Sequence, residues 1–509
     1  MKKQFSEELS RNGSKLDNAY DLAAFCYDYL IDKVKNQAQF IGKYICKNED
    51  ARENNPNLDK LFRFKQSMKR TLCKQQSGFD YLELRDRIEN QVKETEDSLE
   101  EYGEKEMNNA AIPFFILLAI DSYALERKGD CIGRSPLNQK YKKKSYVYLN
   151  VTDAPVDGAV KRRKIKDAVI CDQIEHLIFL EKKLLPPEIK KPPQIVSLYI
   201  GESDTVRKET LDGKKLKVAV IPFGQDKMVD FITDSGALFH VEYTPEHMKN
   251  GKRRALELLR HAIDEKANII LFPEFVCGKK IQKAVQAELE RIYRDTPERT
   301  EALLLVVAGS RWEKRGNNVA DILAYDGHPL GCQYKYVSYS DLGENKKKWV
   351  EDLKDPGKEC TIVEIDKVGK IMFGICRDIV AESYIALLTE VFSPQLLLIP
   401  AWSRSVMKGF KGQLERITSR NQRTCSVLCN CCEAYHTLGS FKKEVGMVVS
   451  PVERAGYIDG KTDLILRNEA DCTKECKAGG CVFIVDLDCS PKNTENGCVS
   501  VSIDRKFKN

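Results

Sequence analysis

The sequence predicts a mixed α/β domain that follows a mainly helical N-terminal region. Apolar residues recur at helical spacing through about the first 190 residues, whereas short apolar runs alternate with helical stretches beyond them. Between the two regions, LLPPEIKKPPQ (184–194) carries four prolines within eight residues. Proline fixes φ and removes a backbone donor, which fits a stiff linker. We therefore expect a separate helical domain over 1–195, ending in this proline-rich linker.

The N-terminal region contains two amphipathic helical patterns. The first consists of Leu22, Phe25, Cys26, Tyr29 and Leu30. The second consists of Tyr81, Leu84, Ile88, Val92 and Leu99. Such stripes are typical of helices that pack into a core, although a partner-binding seam is the alternative. The longest apolar run, AAIPFFILLAI (110–120), falls short of the ~18 residues that span a bilayer, so we expect a buried helix and no membrane span.

The second region contains a series of short apolar runs that predict strands. They are KVAVIPF (217–223), NIILFP (268–273), ALLLVVAG (302–309), DILAYDG (321–327), GCQYKYV (331–337), TIVEID (361–366), KIMFGIC (370–376), QLLLIPA (395–401) and CVFIVDLD (481–488). Helical stretches separate several of them, notably 381–392 and 411–424. Asp326 and Gly327 predict a hairpin with a two-residue turn. Apolar strands of this kind imply sheets that are covered by helices.

The composition indicates a cytoplasmic globular protein. The chain has 509 residues, of which 42% are hydrophobic and 31% charged, and its net charge is +6. This charge is small for the length, so nucleic acid is not an expected partner, and the basic runs KYKKK and KRRKIK fit solvated surface. The first residues lack an apolar segment typical of a secretory signal. Eighteen cysteines in such a chain are better explained as reduced thiols than as disulfides.

Three of the predicted strands carry residues that are unusual for buried strands. Glu274 follows the apolar run NIILFP, Cys376 ends KIMFGIC, and Lys335 falls within the apolar and aromatic run GCQYKYV. Each residue alone has an ordinary explanation as a solvated acid, a packed thiol or an edge lysine. Together they supply a base, a nucleophile and a cation.

In this order the three residues resemble the Glu, Lys, Cys triad of the nitrilase, or carbon–nitrogen hydrolase, superfamily. The surrounding segments that carry the resemblance are VAVIPF (218–223), ALELLRHAIDEKANIILFPEF (255–275), NNVADILAYDGHPLGCQYKY (317–336), VGKIMFGICRD (368–378), LLLIPAWS (396–403) and RNQRTCSVLCN (420–430). The resemblance covers roughly residues 215–490 and leaves the N-terminal region and a tail over 491–509 unrecognised. It implies an α-β-β-α sandwich that often dimerises, so we expect a homo-oligomer.

The resemblance also implies a reaction, the hydrolysis of a non-peptide carbon–nitrogen bond. A free thiol has a pKa of ~8.5 and needs a base to become a nucleophile at neutral pH. Glu274 would take the proton of Cys376, which would attack a carbonyl or nitrile carbon and form a thioester-type intermediate. Lys335 and the backbone N–H of Arg377 would stabilise the oxyanion. These groups need no metal or cofactor, and the expected partner is a small amide or nitrile.

Four further residues are candidates for the site. Many superfamily members have a second glutamate shortly after the lysine, and Glu344, nine residues after Lys335, is the nearest match; a loop residue beside KKK (346–348) is the alternative. Asp378 favours the amidase branch over true nitrilases. Arg377 either recognises an acidic group of the substrate or points to solvent and pairs with Asp378. Trp402 either lines the pocket or is a buried structural residue.

The cysteines of the second region do not predict a metal site. CSVLCNCC (425–432) overlaps a predicted strand and fits core thiols. The C-terminal series, Cys472, Cys476, Cys481, Cys489 and Cys498, lacks the paired Cys-x-x-Cys spacing of zinc sites and has no nearby histidine. We also find no glycine-rich loop before a helix that would bind a nucleotide.

The leading hypothesis is therefore an amidase-like cysteine hydrolase with a helical N-terminal extension. A nitrilase or an amide-forming acyltransferase would use the same triad. A third alternative is a sensor or assembly protein, in which the nitrilase-like domain binds a metabolite and the helical domain engages a protein partner.

Overall fold

A computed structural model describes most of the chain. The described residues are 5–34, 56–73, 81–99, 105–126, 144–149, 174, 177–185, 192–198, 200, 207, 215–224, 228–233, 238–313, 316–342, 348–354, 359–365, 368–380, 384–403, 405–421, 424–432, 434, 444–454, 457–467, 481–488 and 501–506. The chain divides into two compact units. One comprises Met1–Val151 with Pro155–Leu185, and the other Thr152–Ala154 with Pro186–Asn509. The division after Leu185 falls within the proline-rich segment.

The first unit contains helices and one strand pair among its described residues. The helices are α1 (Phe5–Asn12), α2 (Ala19–Val34), α3 (Pro56–Cys73), α4 (Tyr81–Ser98) and α5 (Lys105–Glu126). Strands β1 (Ser145–Leu149) and β2 (Leu177–Glu181) pair in antiparallel fashion. The apolar stripe of α2 is buried, and Ile88 and Val92 of α4 belong to the same core. Among the described residues no helix is long and apolar enough to cross a membrane.

The second unit is a mixed α/β structure, as the sequence predicts. Its strands are β3 (Gln194–Leu198), β4 (Lys215–Val220), β5 (Val229–Thr233), β6 (Leu238–Tyr243), β7 (Ile269–Leu271), β8 (Leu305–Glu313), β9 (Asn317–Ala324), β10 (Pro329–Tyr334), β11 (Ser340–Leu342), β12 (Lys348–Glu351), β13 (Thr361–Ile365), β14 (Gly369–Phe373), β15 (Leu396–Ala401), β16 (Cys425–Asn430), β17 (Glu444–Arg454), β18 (Tyr457–Arg467), β19 (Val482–Asp488) and β20 (Val501–Lys506). Its helices are α6 (Pro245–Asp264), α7 (Lys279–Asp295), α8 (Arg377–Val380), α9 (Tyr384–Phe392) and α10 (Val406–Asn421).

These strands form two seven-stranded sheets and a smaller one. The first sheet has the order β10-β9-β8-β7-β4-β19-β20, and the second has the order β18-β17-β16-β15-β14-β13-β3. Helices α6 and α7 contact the first sheet and α10 contacts the second, while β7 meets β15 and β10 meets β13 between the sheets. These contacts are those of an α-β-β-α arrangement. A four-stranded sheet, β11-β12-β6-β5, is added to it.

Two segments outside the expected range of 215–490 belong to these sheets. Strand β3, which begins at Gln194, pairs in parallel with β13 at the edge of the second sheet. Strand β20, in the expected C-terminal tail, pairs with β19. The paired strands therefore extend beyond residues 215–490 at both ends. An edge strand needs a partner only on one side, so a short segment with little apolar pattern is sufficient.

Local boundaries also differ from the expectation at the hairpin and at the lysine. Strands β9 and β10 pair in antiparallel fashion as predicted. The connection spans residues 325–328 and is longer than a two-residue turn, and Gly327 adopts a φ of 87° in it. Lys335 was expected inside a strand but lies directly after the end of β10.

Candidate active site

The segment that carries Glu274 makes a sharp turn directly after β7. Phe275 has a φ of 67°, and the Val276 N–H donates to the carbonyl of Glu274 at 2.9 Å. This i to i+2 bond around a positive φ is a γ-turn, a rare and strained conformation for a bulky residue. Strain of this kind needs support, and the Ser310 hydroxyl accepts the Phe275 N–H at 3.1 Å. The turn places the Glu274 side chain in the interior, where it is fully buried.

Cys376 lies on a second strained turn, three residues after β14. Its φ is 48°, and helix α8 begins at the next residue. A nucleophile on a sharp strand-to-helix turn is a recurrent arrangement, because the turn frees the reactive atom from the sheet. The Cys376 N–H donates to the Pro400 carbonyl at 2.9 Å, and the thiol contacts the Trp402 carbonyl at 3.8 Å.

Lys335 joins the site through its ammonium group. Nζ lies 2.7 Å from Oε1 of Glu274 and 2.6 Å from Oε2 of Glu351, and all three side chains are fully buried. Burial by itself would lower the pKa of Lys335, but the two carboxylates raise it strongly, so the lysine is a fixed cation. Asn318 accepts the Lys335 N–H with its backbone carbonyl at 2.9 Å.

Glu274 and Cys376 are close enough for each to affect the pKa of the other. Burial raises the pKa of Glu274, and repulsion by Glu351 raises it further, although Lys335 and a hydrogen bond with the Cys376 side chain lower it. Burial and the Glu274 charge raise the pKa of the Cys376 thiol well above its usual range. Oε2 of Glu274 has no nitrogen or oxygen donor among the described residues, so it is available to the thiol. The sulfur is therefore a thiol at rest, next to a carboxyl group with raised basicity.

Two residues of this cluster were not found from the sequence, Asn318 and Glu351. Asn318 Nδ2 donates to Glu274 at 2.8 Å and to Glu351 at 3.2 Å. Glu351 also accepts the Tyr339 N–H at 2.9 Å. The sequence does contain a pattern that could have indicated Glu351. It is an acidic residue at the end of the short strand KWVE, as Glu274 is an acidic residue shortly after the strand IIL. Glu344, the expected second glutamate, lies outside the described residues.

The carboxylate of Asp378, which was expected to bind substrate, accepts hydrogen bonds from the backbone of the protein itself. Its Oδ1 accepts the N–H groups of Tyr336 and Val337, both at 2.8 Å, and its Oδ2 accepts that of Ile375 at 3.1 Å. The carboxylate thus connects the residues after Lys335 to the residue before Cys376. Burial raises the pKa of Asp378 to about 7, although Lys335 and the three N–H groups lower it.

Arg377 and Trp402 both lie beside Cys376. Arg377 is half-buried, and none of the ion pairs in the described part of the chain includes it, so it does not pair with Asp378. Trp402 is 4% exposed, and its indole N–H has no acceptor among the described residues. Its ring packs 4.6 Å from the ring of Phe231 and 6.3 Å from that of Phe275. A buried donor without an acceptor is rare and calls for an explanation.

The described cysteines form no metal site. Cys425, Cys429, Cys431 and Cys432 are buried and in no disulfide, so the prediction of core thiols is confirmed. Of the C-terminal series only Cys481 lies within the described residues, where it is buried and in no disulfide. Within the described ranges no group of three potential metal ligands occurs.

Comparisons with known proteins give structural matches only. No family model and no curated protein matches the chain. Among solved structures, Saccharomyces cerevisiae Nit3, a member of branch 10 of the nitrilase superfamily, is 15% identical with a TM-score of 0.36, covering 55% of this chain and 92% of its own. A mutant of the amidase from Nesterenkonia sp. AN1, with the acetamide moiety of fluoroacetamide added covalently at its active site cysteine, is 16% identical with a TM-score of 0.35 and covers 54% and 92%. Another mutant of that amidase, in complex with butyramide, is 15% identical with a TM-score of 0.34 and covers 54% and 92%.

Proposed function

We propose that this protein is a cysteine-dependent hydrolase that cleaves non-peptide carbon–nitrogen bonds, converting an amide into an acid and ammonia or an amine. The observation that carries the proposal is the convergence of Glu274, Lys335 and Cys376. The three come from separate strands of two sheets, yet Lys335 contacts Glu274 directly and both of them act on the pKa of Cys376. A thiol, a base and a fixed cation in one buried site are the parts that acyl transfer requires.

The reaction begins with proton transfer from the thiol. Because the pKa of Cys376 is raised, the thiol still carries its proton when substrate binds, and this proton must pass to the Glu274 carboxylate as the sulfur attacks the carbonyl carbon. The negative charge that develops on the oxygen is stabilised by the Lys335 ammonium and the backbone N–H of Arg377. Glu274 then protonates the nitrogen as the C–N bond breaks, which leaves a thioester on Cys376.

Water completes the cycle. Glu274, now a carboxylate again, takes a proton from water as the water oxygen attacks the thioester carbon. The C–S bond breaks, the acid is released, and the proton returns to the sulfur. Glu351 takes no proton in this scheme. It accepts hydrogen bonds from Lys335, Asn318 and Tyr339, whereas Oε2 of Glu274 faces no such nitrogen donor. These different surroundings support Glu274, and not Glu351, as the residue that carries the proton.

The test is the release of ammonia from a panel of small amides, compared between the wild type and Cys376→Ala. The panel includes amides with a carboxylate group, because the half-buried Arg377 is beside the nucleophile and has no carboxylate partner among the described residues. We expect turnover by the wild type and none by Cys376→Ala. Binding of an amide without turnover in either protein would instead favour the metabolite-sensing alternative.

The same assay distinguishes amide hydrolysis from the two alternative reactions, nitrile hydrolysis and acyl transfer. Nitriles in the same assay test the nitrilase alternative. Hydroxylamine tests acyl transfer, because it competes with water for the thioester and yields a hydroxamate. A reduced thiol is necessary for this chemistry, so the proposal includes a reducing compartment such as the cytoplasm. The homo-oligomer and the protein partner of the helical region stay predictions.

A further inference from the structure

We infer that Asn430 is a positioning residue that sets the geometry between Glu274 and Cys376, although it belongs to neither the acid–base pair nor its ion pairs. Asn430 is the last residue of β16 and is 1% exposed. It acts through the segment formed by residues 400–403, which we call the β15 extension. The inference rests on the proposed function in one respect, the role of Cys376 as nucleophile.

The β15 extension binds both reacting residues with consecutive backbone carbonyls. The Pro400 carbonyl accepts the Cys376 N–H at 2.9 Å, and the Ala401 carbonyl accepts the Glu274 N–H at 3.4 Å. The Trp402 carbonyl contacts the Cys376 thiol at 3.8 Å. Glu274 follows a strand of the first sheet and Cys376 a strand of the second. This short segment therefore fixes the base and the nucleophile relative to one another.

Asn430 is the side chain that holds the end of this extension. Its Oδ1 accepts the Ser403 N–H at 2.8 Å, and its Nδ2 donates to the Ser403 carbonyl at 2.9 Å. Nδ2 also donates to the Glu444 carbonyl at 3.2 Å, on the neighbouring strand β17. Both backbone groups of Ser403 are thus bound by one amide. Loss of the amide would release the chain directly after Trp402, whose carbonyl faces the thiol.

The chain offers a matched control in Asn268. Its Oδ1 accepts the Lys217 N–H at 2.7 Å, and its Nδ2 donates to the Ala302 carbonyl at 2.7 Å. This amide is also buried, 2% exposed, and also joins backbone segments. It precedes β7, whereas Glu274 follows that strand, so it lies at the opposite end from the site. If the role of Asn430 were purely structural, replacing either asparagine would have the same effect on Cys376.

The experiment measures the reactivity of Cys376 with iodoacetamide, which needs no knowledge of the substrate. Full-length wild type, Asn430→Ala, Asn430→Asp and Asn268→Ala are alkylated at several pH values. The rate at Cys376 is followed by peptide mass spectrometry relative to that at Cys332, which is half-buried outside the site. Asn430→Asp keeps the acceptor for the Ser403 N–H and loses the two hydrogen bonds that Nδ2 donates. This variant has nearly the size of asparagine, so it tests the inference even if Asn430→Ala folds poorly. Thermal unfolding of each protein is recorded in parallel.

We expect the Cys376 rate, relative to Cys332, to fall at least tenfold in both Asn430 variants, with a changed pH dependence. Asn268→Ala should keep the wild-type ratio and pH dependence while it lowers the unfolding temperature. Wild-type behaviour in a folded Asn430 variant, or an equal loss in Asn268→Ala, would overturn the inference alone. A wild-type Cys376 that reacts no faster than Cys332 would instead remove the nucleophile of the proposed function.

Discussion

The ammonium of Lys335 lies 2.6 Å from Oε2 of Glu351, so the cation of the site is bound by a carboxylate that the proposed reaction does not use as a base. Burial raises the pKa of Glu274, Lys335 lowers it, and repulsion from this second carboxylate raises it further. Glu351 thereby affects both the cation and the base of the proposed reaction. It holds the cation in place and keeps the neighbouring carboxyl group basic.

Replacement of Glu351 by Gln should slow hydrolysis and shift its pH dependence. The amide keeps the shape and removes the charge, so the pKa of Glu274 falls and Glu274 becomes a weaker base. We expect kcat to fall about 10- to 100-fold and the acid limb of kcat/KM to move to lower pH. The pH profile on the fastest amide of the panel measures both effects. Asp352→Asn is the control, because Asp352 pairs with the exposed Lys354. If the acid limbs of Glu351→Gln and wild type coincide, Glu351 does not control the basicity of Glu274.

Replacement of Lys335 by Met should destabilise the protein more at high pH than at low pH. The variant leaves two buried carboxyl groups without their cation, and breaking a buried ion pair costs ~3–5 kcal/mol. Burial raises the folded-state pKa of Glu274 and Lys335 lowers it, so this pKa rises further above its unfolded value in the variant. The variant is therefore relieved by protonation at low pH and loses stability as the pH rises. Unfolding temperatures from about pH 5 to about pH 8 test this.

The control for this variant is Lys354→Met, which removes an exposed lysine from its pair with Asp352. Surface pairs contribute little, so no pH-dependent change is expected. A difference between Lys335→Met and wild type that stays constant with pH would mean that the two carboxyl groups are not coupled to the lysine.

Asp378 should make the protein less stable as the pH rises, whereas most carboxyl groups in proteins make it less stable as the pH falls. Burial raises its pKa from 3.8 to about 7, so the folded state binds the proton more tightly than the unfolded state. The resulting stabilisation is complete below the unfolded pKa and is lost as the pH rises to about 7, by at most about 1.4 kcal/mol per pH unit. Asp378→Asn removes this titration.

The unfolding temperature of Asp378→Asn, relative to wild type, should therefore rise between about pH 4 and pH 7 and stay level above that range. Asp352→Asn, which alters a carboxylate that is 22% exposed and paired with an exposed lysine, should show no such trend. A relative unfolding temperature that does not change with pH would show that the three backbone N–H groups, and not burial, control this carboxyl group.

Glu274 and Cys376 could be found from the sequence because a buried strand is visible as an apolar run, and a polar residue at its end is conspicuous. Both lie three residues beyond their strands, on turns with positive φ at Phe275 and Cys376. Phenylalanine and cysteine do not predict a left-handed backbone conformation, because glycine is the residue that usually adopts it. The sequence therefore indicated which residues matter but not the backbone geometry that supports them.

Asn318 and Glu351 were missed because their roles depend on which strands become neighbours. Glu351 comes from the small sheet β11-β12-β6-β5, and its strand β12 pairs in parallel with the distant β6. Local apolar spacing carries no information on such pairing, and the same holds for the edge strands β3 and β20. Asn430 was recognised only as the end of a strand, since its bonds to Ser403 follow from the parallel register of β15 and β16.

The bulge at Gly309 in β8 should be intolerant of any side chain, because it shapes the turn that carries Glu274. Gly309 has a φ of 68°, and a Cβ there would lie 2.6 Å from the Pro273 carbonyl and 2.7 Å from Sγ of Cys277. The strand register shifts at this point, and the next N–H, that of Ser310, donates to the same Pro273 carbonyl at 3.0 Å. An added methyl group would therefore push the backbone directly before Glu274.

We expect Gly309→Ala to lower the free energy of unfolding by ~2–4 kcal/mol, from the left-handed backbone and the backbone clash together. Amide hydrolysis should fall by more than the folded fraction accounts for, because the turn before Glu274 moves. Gly412→Ala is the matched control, since Gly412 lies inside α10 with no atom within 4 Å of an added Cβ. There the substitution should stabilise the helix by up to ~1 kcal/mol. Because both variants add the same methyl group, equal stabilities would mean that the β8 bulge does not constrain the Glu274 turn.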